Sequence, residues 1–222
     1  MQTIDAVLFD LDGTLVDTAP DFVFVLNQLR QQYGLEALPD LPIRQQVSNG
    51  AKALIRLSFG DENTNQDFQH QLEALLNLYE QHLAVKSTVF AGLETALEHL
   101  EQRSIPWGIV TNKPSRFTNP LVKELNLEHR CAVAICPDQV NNSKPHPEPI
   151  LTACNIIGAR PENTLYVGDH LRDIQAGKNA NNTTVAAAWG YLNEGEHAED
   201  WQADIIMATP NDFSQWILGL IP

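Results

Sequence analysis

Hydrophobic residues gather into short runs that recur along the chain. The runs at 6–9, 107–110, 132–135, 165–167 and 185–188, with a weaker one at 205–207, are too short for buried helices and read as strands covered on both faces. Segments with helical spacing separate most of them, at 94–102, 116–125, 147–157, 173–179 and 212–218. Ser115 is placed to cap the second of these, and the third starts at Pro147 and stops at Gly158. Strands alternating with helices predict an α/β fold, a Rossmann-like, doubly wound parallel sheet.

One connection breaks the alternation. A strand–helix–strand unit takes about 30 residues, yet residues 10–106 separate the first two strands. Much of that stretch is helical in pattern, at 21–33, 43–57 and 66–83. In the last of these, Phe68, Leu72, Leu75, Leu76, Tyr79 and Leu83 share one stripe that reads as the core of a helix bundle. The division expected is a core of residues 1–15 and 88–222 and an all-helical cap of residues 16–87 inserted after the first strand. Ser48-Asn49-Gly50 interrupts the helical pattern of 43–57, which suits a loop facing a ligand.

Composition narrows the function. The 222 residues carry 14 Lys+Arg against 28 Asp+Glu, a formal net charge of −14. Such a surface repels a phosphate backbone, so nucleic acid is not an expected partner. No apolar run approaches the length of a membrane span, nothing at the start reads as a signal peptide, and the three cysteines match no zinc spacing. The expectation is a cytoplasmic protein with reduced thiols, a monomer or homodimer, acting on a small molecule. A small phosphate ester would need a local cation to enter.

Ligands of open α/β sheets bind beyond the carboxyl ends of the strands. Those ends carry Asp10-Leu11-Asp12-Gly13-Thr14, then Thr111-Asn112-Lys113, then, beyond a short loop, Ser143-Lys144-Pro145, then Gly168-Asp169-His170-Leu171-Arg172-Asp173. Asp10 and Asp12, two apart in extended chain, face one side. Carboxylates converging there require a cation, and an oxygen cluster completed by Asp169 suits Mg2+. The Thr111 hydroxyl and Lys144 supply donors for phosphoryl oxygens, and Gly13 lets backbone N–H groups approach them.

This set of motifs, in this order, resembles the haloacid dehalogenase superfamily, and the helical insert resembles its C1 cap. Asp17-Thr18-Ala19-Pro20-Asp21 resembles the phosphoglycolate phosphatase branch. The stretches 107–154 and 168–192 also resemble phosphatases of N-acetylmuramic acid 6-phosphate. The resemblance implies a Mg2+-dependent phosphomonoesterase. Asp10 would be the nucleophile, Asp12 the acid and then the base. Mg2+ would sit on Asp10, the Asp12 carbonyl and Asp169, with Asp173 orienting metal waters or Lys144. Thr111, the Asn112 N–H and Lys144 would hold the phosphoryl group.

Substrate choice is assigned to the cap, with Arg44, Ser48, Asn49, Gly50 and Lys52 as candidate contacts and Arg44 placed to bind a carboxylate. The expected substrate is a small carboxylated ester such as 2-phosphoglycolate, with N-acetylmuramic acid 6-phosphate as the alternative. A sugar phosphomutase shares Asp10 and Asp12. A receiver-like phosphoacceptor module is disfavoured, because its acceptor follows the third strand, whereas here that strand ends in Cys136-Pro137. His146 and His170 read either as groups at the rim of the site or as solvated loop histidines.

Overall fold

Burial on both faces explains the first strand, β1 (Ala6–Phe9): all four side chains are apolar and buried, each contributing roughly 1.5–3 kcal/mol for the larger residues. In the computed structural model, which describes residues 3–62 and 65–221, the chain leaves β1 through a tight turn into the two-residue strand β2 (Val16–Asp17). Four helices follow: α1 (Ala19–Gln32), α2 (Asp40–Val47), α3 (Ala51–Phe59) and α4 (Phe68–Gln81). The chain returns through β3 (Thr88–Val89), antiparallel to β2. From there strands and helices alternate as α5 (Leu93–Gln102), β4 (Trp107–Val110), α6 (Ser115–Glu124), β5 (Val133–Ile135), α7 (Glu148–Ile157), β6 (Thr164–Gly168), α8 (Leu171–Asn179), β7 (Thr183–Ala187), β8 (Ile205–Met207) and α9 (Pro210–Leu220).

The main sheet is parallel throughout, in the order β5-β4-β1-β6-β7-β8. From β1 the chain builds outward through β4 and β5, then crosses back to β6 on the other side of β1. The order reverses at β1, so the crevice at its carboxyl end lies between the ends of β4 and β6. Alternate side chains split between the two faces. Val7 and Phe9 pack with α5 and α9, and Leu8 packs with α7 and α8. Among the described residues no helix is long and apolar enough to cross a membrane, and all three cysteines are free.

Helices α1–α4 pack around a core of their own, built from Val25, Leu26, Leu29, Ile43, Leu54 and Leu75 among others. The pattern over 43–57 resolves into two helices, because Gly50 takes φ +85° between α2 and α3. Leu72 and Leu76 on the α4 stripe pack against this core as expected, and together with Tyr79 they also line a cavity facing the sheet. Ser115 departs from its expected role. The cap position of α6 is Pro114, and the Ser115 N–H and hydroxyl donate to Asp138, which holds this helix start against the loop after β5.

The two ends of the insert are fastened to each other by Asp21, which is 1% exposed. Its Oδ1 accepts the Lys86 N–H (2.9 Å), and its Oδ2 accepts the Ser87 N–H (3.0 Å) and hydroxyl (2.6 Å). Removing this carboxylate leaves buried donors without partners, at about 1–3 kcal/mol for each such group. Asp21→Ala is therefore expected to lower the denaturant midpoint by a loss of that order, while Asp21→Asn, which keeps one acceptor oxygen, loses less. Equal stability of Asp21→Ala and parent in urea unfolding would refute the anchoring role.

Candidate active site

Asp10 emerges one residue beyond β1, its N–H bonded to the Val167 carbonyl (2.8 Å). Its Oδ1 accepts the Leu11 N–H (2.7 Å) and the Lys144 ammonium (2.9 Å). Lys144 has no exposed side-chain surface, and its ammonium also lies near Asp173 (2.7 Å), the Val110 carbonyl (2.9 Å) and the Tyr166 hydroxyl (2.9 Å), one more acceptor than its three N–H groups can serve at once. Burial pulls the Lys144 pKa down, but the charges of Asp10 and Asp173 outweigh it and hold it above its ordinary value. The Asn112 side chain clamps the Lys144 backbone, donating to its carbonyl (3.0 Å) and accepting its N–H (3.1 Å).

Asp169, at the end of β6, is wedged between two glycines. A Cβ on Gly13, which has φ +81°, would lie 2.1 Å from Asp169 Oδ2, and one on Gly190 would meet the same side chain. Asp169 Oδ1 accepts the Thr14 hydroxyl (3.0 Å), and Oδ2 accepts the Tyr191 N–H (3.0 Å) and the Ser48 hydroxyl (2.9 Å). Burial, then Asp10, then Asp173 push the Asp169 pKa up to about 7. Asp173 is pushed up to about 6, by burial and by Asp10, against the pull of Lys144. Oxygens of Asp10, Asp169 and Asp173 lie within 4.8 Å of one another, and Asp173 Oδ2 is buried without a hydrogen-bond partner. Three crowded carboxylates with an orphaned oxygen fit a hard divalent cation and its waters.

Asp10 and Asp12 open into a cavity of about 500 Å³ between the sheet edge and the helical insert. Thr111 and Asn112 line its floor. Ser48, Asn49, Gly50 and Lys52 line its roof, and Phe22, Leu72, Leu76 and Tyr79 form an apolar wall. Four cationic side chains (Lys52, Lys113, Arg116, Arg172) line it against two carboxylates, which reverses locally the charge of a strongly acidic chain.

Arg44 is brought elsewhere and does not line this cavity. It pairs with Asp17 (3.2 Å) and stacks over the Tyr191 ring (5.2 Å). The Tyr191 hydroxyl donates to Asp17 (2.6 Å) and accepts the Ala19 N–H (2.9 Å). This cluster ties α2 to the root of the insert.

Several groups in the site take no role from the sequence alone, although Thr18, Lys113 and Arg172 stand inside its motifs. Tyr191 reaches Asp169 from the loop after β7, and Thr18 donates to Asp12 Oδ1 (2.5 Å) from the root of α1. Arg172 bonds the Ser48 carbonyl (2.5 Å), and its place between Asp169 and Asp173 is its only trace in the sequence. Lys113 bonds Asp12 (2.8 Å). Its trace is a lysine directly after an apolar strand in an acidic chain.

The two histidines divide. His146 is exposed and accepts the Glu148 N–H (3.2 Å). His170 is no solvated loop group: its Nδ1 accepts the Arg172 N–H (3.1 Å) and its Nε2 meets Asn49 Oδ1 (3.3 Å). Burial first, then Arg172, lowers its pKa to about 4, which leaves the ring neutral.

Raised carboxyl pKa values make the site pH-sensitive. Asp169 and Asp173 hold protons in the fold to higher pH than the unfolded value of about 3.9. The stability they contribute is full below about pH 4 and is lost as pH rises through about 6 and 7. In EDTA the protein should therefore melt lower at pH 8 than at pH 5.5. Asp169→Asn should flatten that difference, and Mg2+ should raise Tm more at pH 8 than at pH 5.5. A parent and variant with identical pH dependence would contradict the assignment.

Comparison with known proteins agrees with this geometry. The sequence profile of the haloacid dehalogenase-like hydrolase family matches residues 7–187. The chain is 39% identical over 209 residues to N-acetylmuramic acid 6-phosphate phosphatase of Pseudomonas aeruginosa, covering 94% of this chain and 92% of that one. It is 38% identical over 205 residues to phosphoglycolate phosphatase of Xanthomonas campestris, covering 92% of each. A crystal structure of a predicted phosphoglycolate phosphatase from Haemophilus somnus superposes with a TM-score of 0.85, at 24% identity, over 97% of this chain and 99% of the other, and so shares the fold. With four fifths of its length matched and the carboxylates gathered where the sheet order reverses, the chain belongs to the haloacid dehalogenase-like hydrolases.

Proposed function

We propose that this protein is a Mg2+-dependent phosphomonoesterase of a carboxylated phosphate ester, working through an aspartyl-phosphate on Asp10. In this reading residues 16–87 form the cap that covers a core of residues 1–15 and 88–222. One observation carries it: Asp10 and Asp12 face the same cavity, yet each is held by a different buried lysine, Lys144 and Lys113. Two carboxylates with separate partners can divide the work of nucleophile and proton carrier.

Asp10, the Asp12 carbonyl and Asp169 would hold Mg2+, with Asp173 beside them. When bound, the ion supplies positive charge that lets an anionic ester approach an anionic nucleophile. The Thr111 hydroxyl and the Asn112 N–H bind phosphoryl oxygens, while Lys144, expected to do the same, lies buried behind Asp10 and lends its charge from there. An Asp10 oxygen attacks phosphorus in line, the bond to the leaving oxygen breaks, and Asp12 gives that oxygen its proton. Water then attacks the phosphorus and returns a proton to Asp12, releasing phosphate and freeing Asp10. The relatives named above are phosphatases, which supports hydrolysis over the phosphomutase alternative.

Two carboxylated esters are named among those relatives. A cavity of about 500 Å³ is in the range that encloses drug-sized ligands. It leaves a two-carbon ester such as 2-phosphoglycolate surrounded by water. The apolar wall of Val47, Leu72, Leu76 and Phe117 suits a sugar ring, and Lys52 and Arg116 can meet a carboxylate remote from the phosphate. The volume thus favours N-acetylmuramic acid 6-phosphate.

A phosphate-release panel of N-acetylmuramic acid 6-phosphate, 2-phosphoglycolate, hexose phosphates and pyrophosphate tests this. The sugar acid should exceed 2-phosphoglycolate in kcat/KM by about tenfold or more, since a filled apolar pocket is worth at least about 1–3 kcal/mol. The opposite order would refute the size argument. Asp10→Asn should lose about 10⁴-fold or more in kcat with the fold intact by circular dichroism, and activity within tenfold of the parent would eliminate the covalent route.

A further inference from the structure

Lys113 is a core residue whose surroundings come from the insert. Its Nζ donates to Asp12 Oδ1 at 2.8 Å and to Oδ2 at 3.2 Å, and its side chain is 5% exposed. Its backbone is pinned from both sides: the N–H donates to the Thr111 hydroxyl (3.1 Å), and the carbonyl accepts the Thr118 hydroxyl (3.1 Å). The ammonium lies alongside two rings, 4.9 Å from the centroid of Phe22 and 4.5 Å from that of Tyr79. Those rings are stacked on each other, 3.9 Å apart. Phe22 lies on α1 and Tyr79 on α4.

Stripping water from an ammonium costs several kcal/mol unless it is paired well. Here one carboxylate provides the pairing, and two packed rings keep water away from the ammonium. The insert therefore completes the environment in which Lys113 grips Asp12, and Thr18, at the root of the same insert, holds Asp12 Oδ1 as well. The shorter contacts all fall on Oδ1. Oδ2, with its longer contact, is the oxygen left to carry a proton toward the cavity.

We infer that Lys113 is a positioning residue for the proton carrier: packed beside the stacked Phe22 and Tyr79 rings, it orients the Asp12 carboxylate so that Oδ2 meets the leaving oxygen of the ester. The competing role is plain neutralisation of a buried carboxylate for folding. The two differ in what they do to substrates. Orientation of a proton donor matters in proportion to how poor the leaving group is, whereas a structural defect slows every ester alike.

The inference rests on the aspartyl-phosphate reading with Asp12 as acid. The test is the phosphorylation half-reaction by rapid quench. The alkyl ester is N-acetylmuramic acid 6-phosphate or 2-phosphoglycolate, whichever the parent turns over faster, and p-nitrophenyl phosphate is the activated ester. Lys113→Met keeps the unbranched stem as far as the ε-carbon, removes the ammonium, and suits packing against aromatic rings. It should slow phosphorylation by the alkyl ester about 10- to 100-fold, part of the 10²–10⁴ that proton transfer supplies, and keep the p-nitrophenolate burst within about threefold. In an Asp12→Ala background it should change the alkyl rate by less than about threefold, because both changes remove one function. Phe22→Leu should move the alkyl ester in the same direction.

Equal slowing of both esters, or full multiplication of the two effects in the double variant, would overturn the positioning role. If Lys113→Met melts below the assay temperature, Lys113→Arg decides by the same ratio of alkyl to activated ester. A parent with no p-nitrophenolate burst and an active Asp10→Asn would instead remove the underlying reading, whatever Lys113 does.

Discussion

The arrangement depends on a single buried ammonium. Lys144 lies with no exposed side-chain surface between Asp10 and Asp173, and its remaining contacts go to a backbone carbonyl and a tyrosine hydroxyl. Without a cation there, carboxylates from two strand ends could not share one corner of a sheet, since like charges in a poorly solvated site drive one another to protonate. Even with Lys144 present, Asp169 and Asp173 remain raised. That residual frustration is what a divalent ion would relieve, and it is stored where the strand order reverses.

The same electrostatic logic runs through the insert. The chain carries a net charge of −14, yet cations outnumber carboxylates around the cavity. They come from three places: Lys113 and Arg116 from the start of α6 and the loop before it, Arg172 from α8, and Lys52 from α3. The insert also contributes the apolar wall. A cavity with one charged floor and one apolar side is a place to bind an ester whose phosphate and body differ in character.

Besides the packing around Lys113 and Phe117, polar contacts between insert and core fall into two kinds. At the root they are buried and multiple: Asp21 on Lys86 and Ser87, and Asp17 with Tyr191 and Arg44. Across the cavity they are scattered polar contacts of Ser48, Asn49 and Gln46 with Asp169, His170, Arg172 and Asn193. Contacts of the second kind exchange with water at a net cost of only about 0.5–1.5 kcal/mol each. The root is therefore the stiff part of this join and the rim the yielding part.

Alternation of buried strands and amphipathic helices was legible along the chain, because a strand buried on both faces must be apolar throughout. The carboxylates at the strand ends were legible for a related reason: a parallel sheet presents every strand's carboxyl end to the same edge. The Ser48-Asn49-Gly50 break was visible because glycine at φ +85° ends one helix and starts another. Arg44 was not placeable from sequence. Its distance from the cavity follows from how α2 sits against Asp17 and Tyr191, residues 27 and 147 positions away. Leu72 and Leu76 read as core on a helical wheel and do pack there, but their share in the cavity wall leaves no mark in the spacing. The packing around Lys113 is the clearest case of a tertiary decision. Phe22, Tyr79 and Asp12 are far from it in the chain, and only packing the insert on the sheet brings two stacked rings and one carboxylate against the same ammonium.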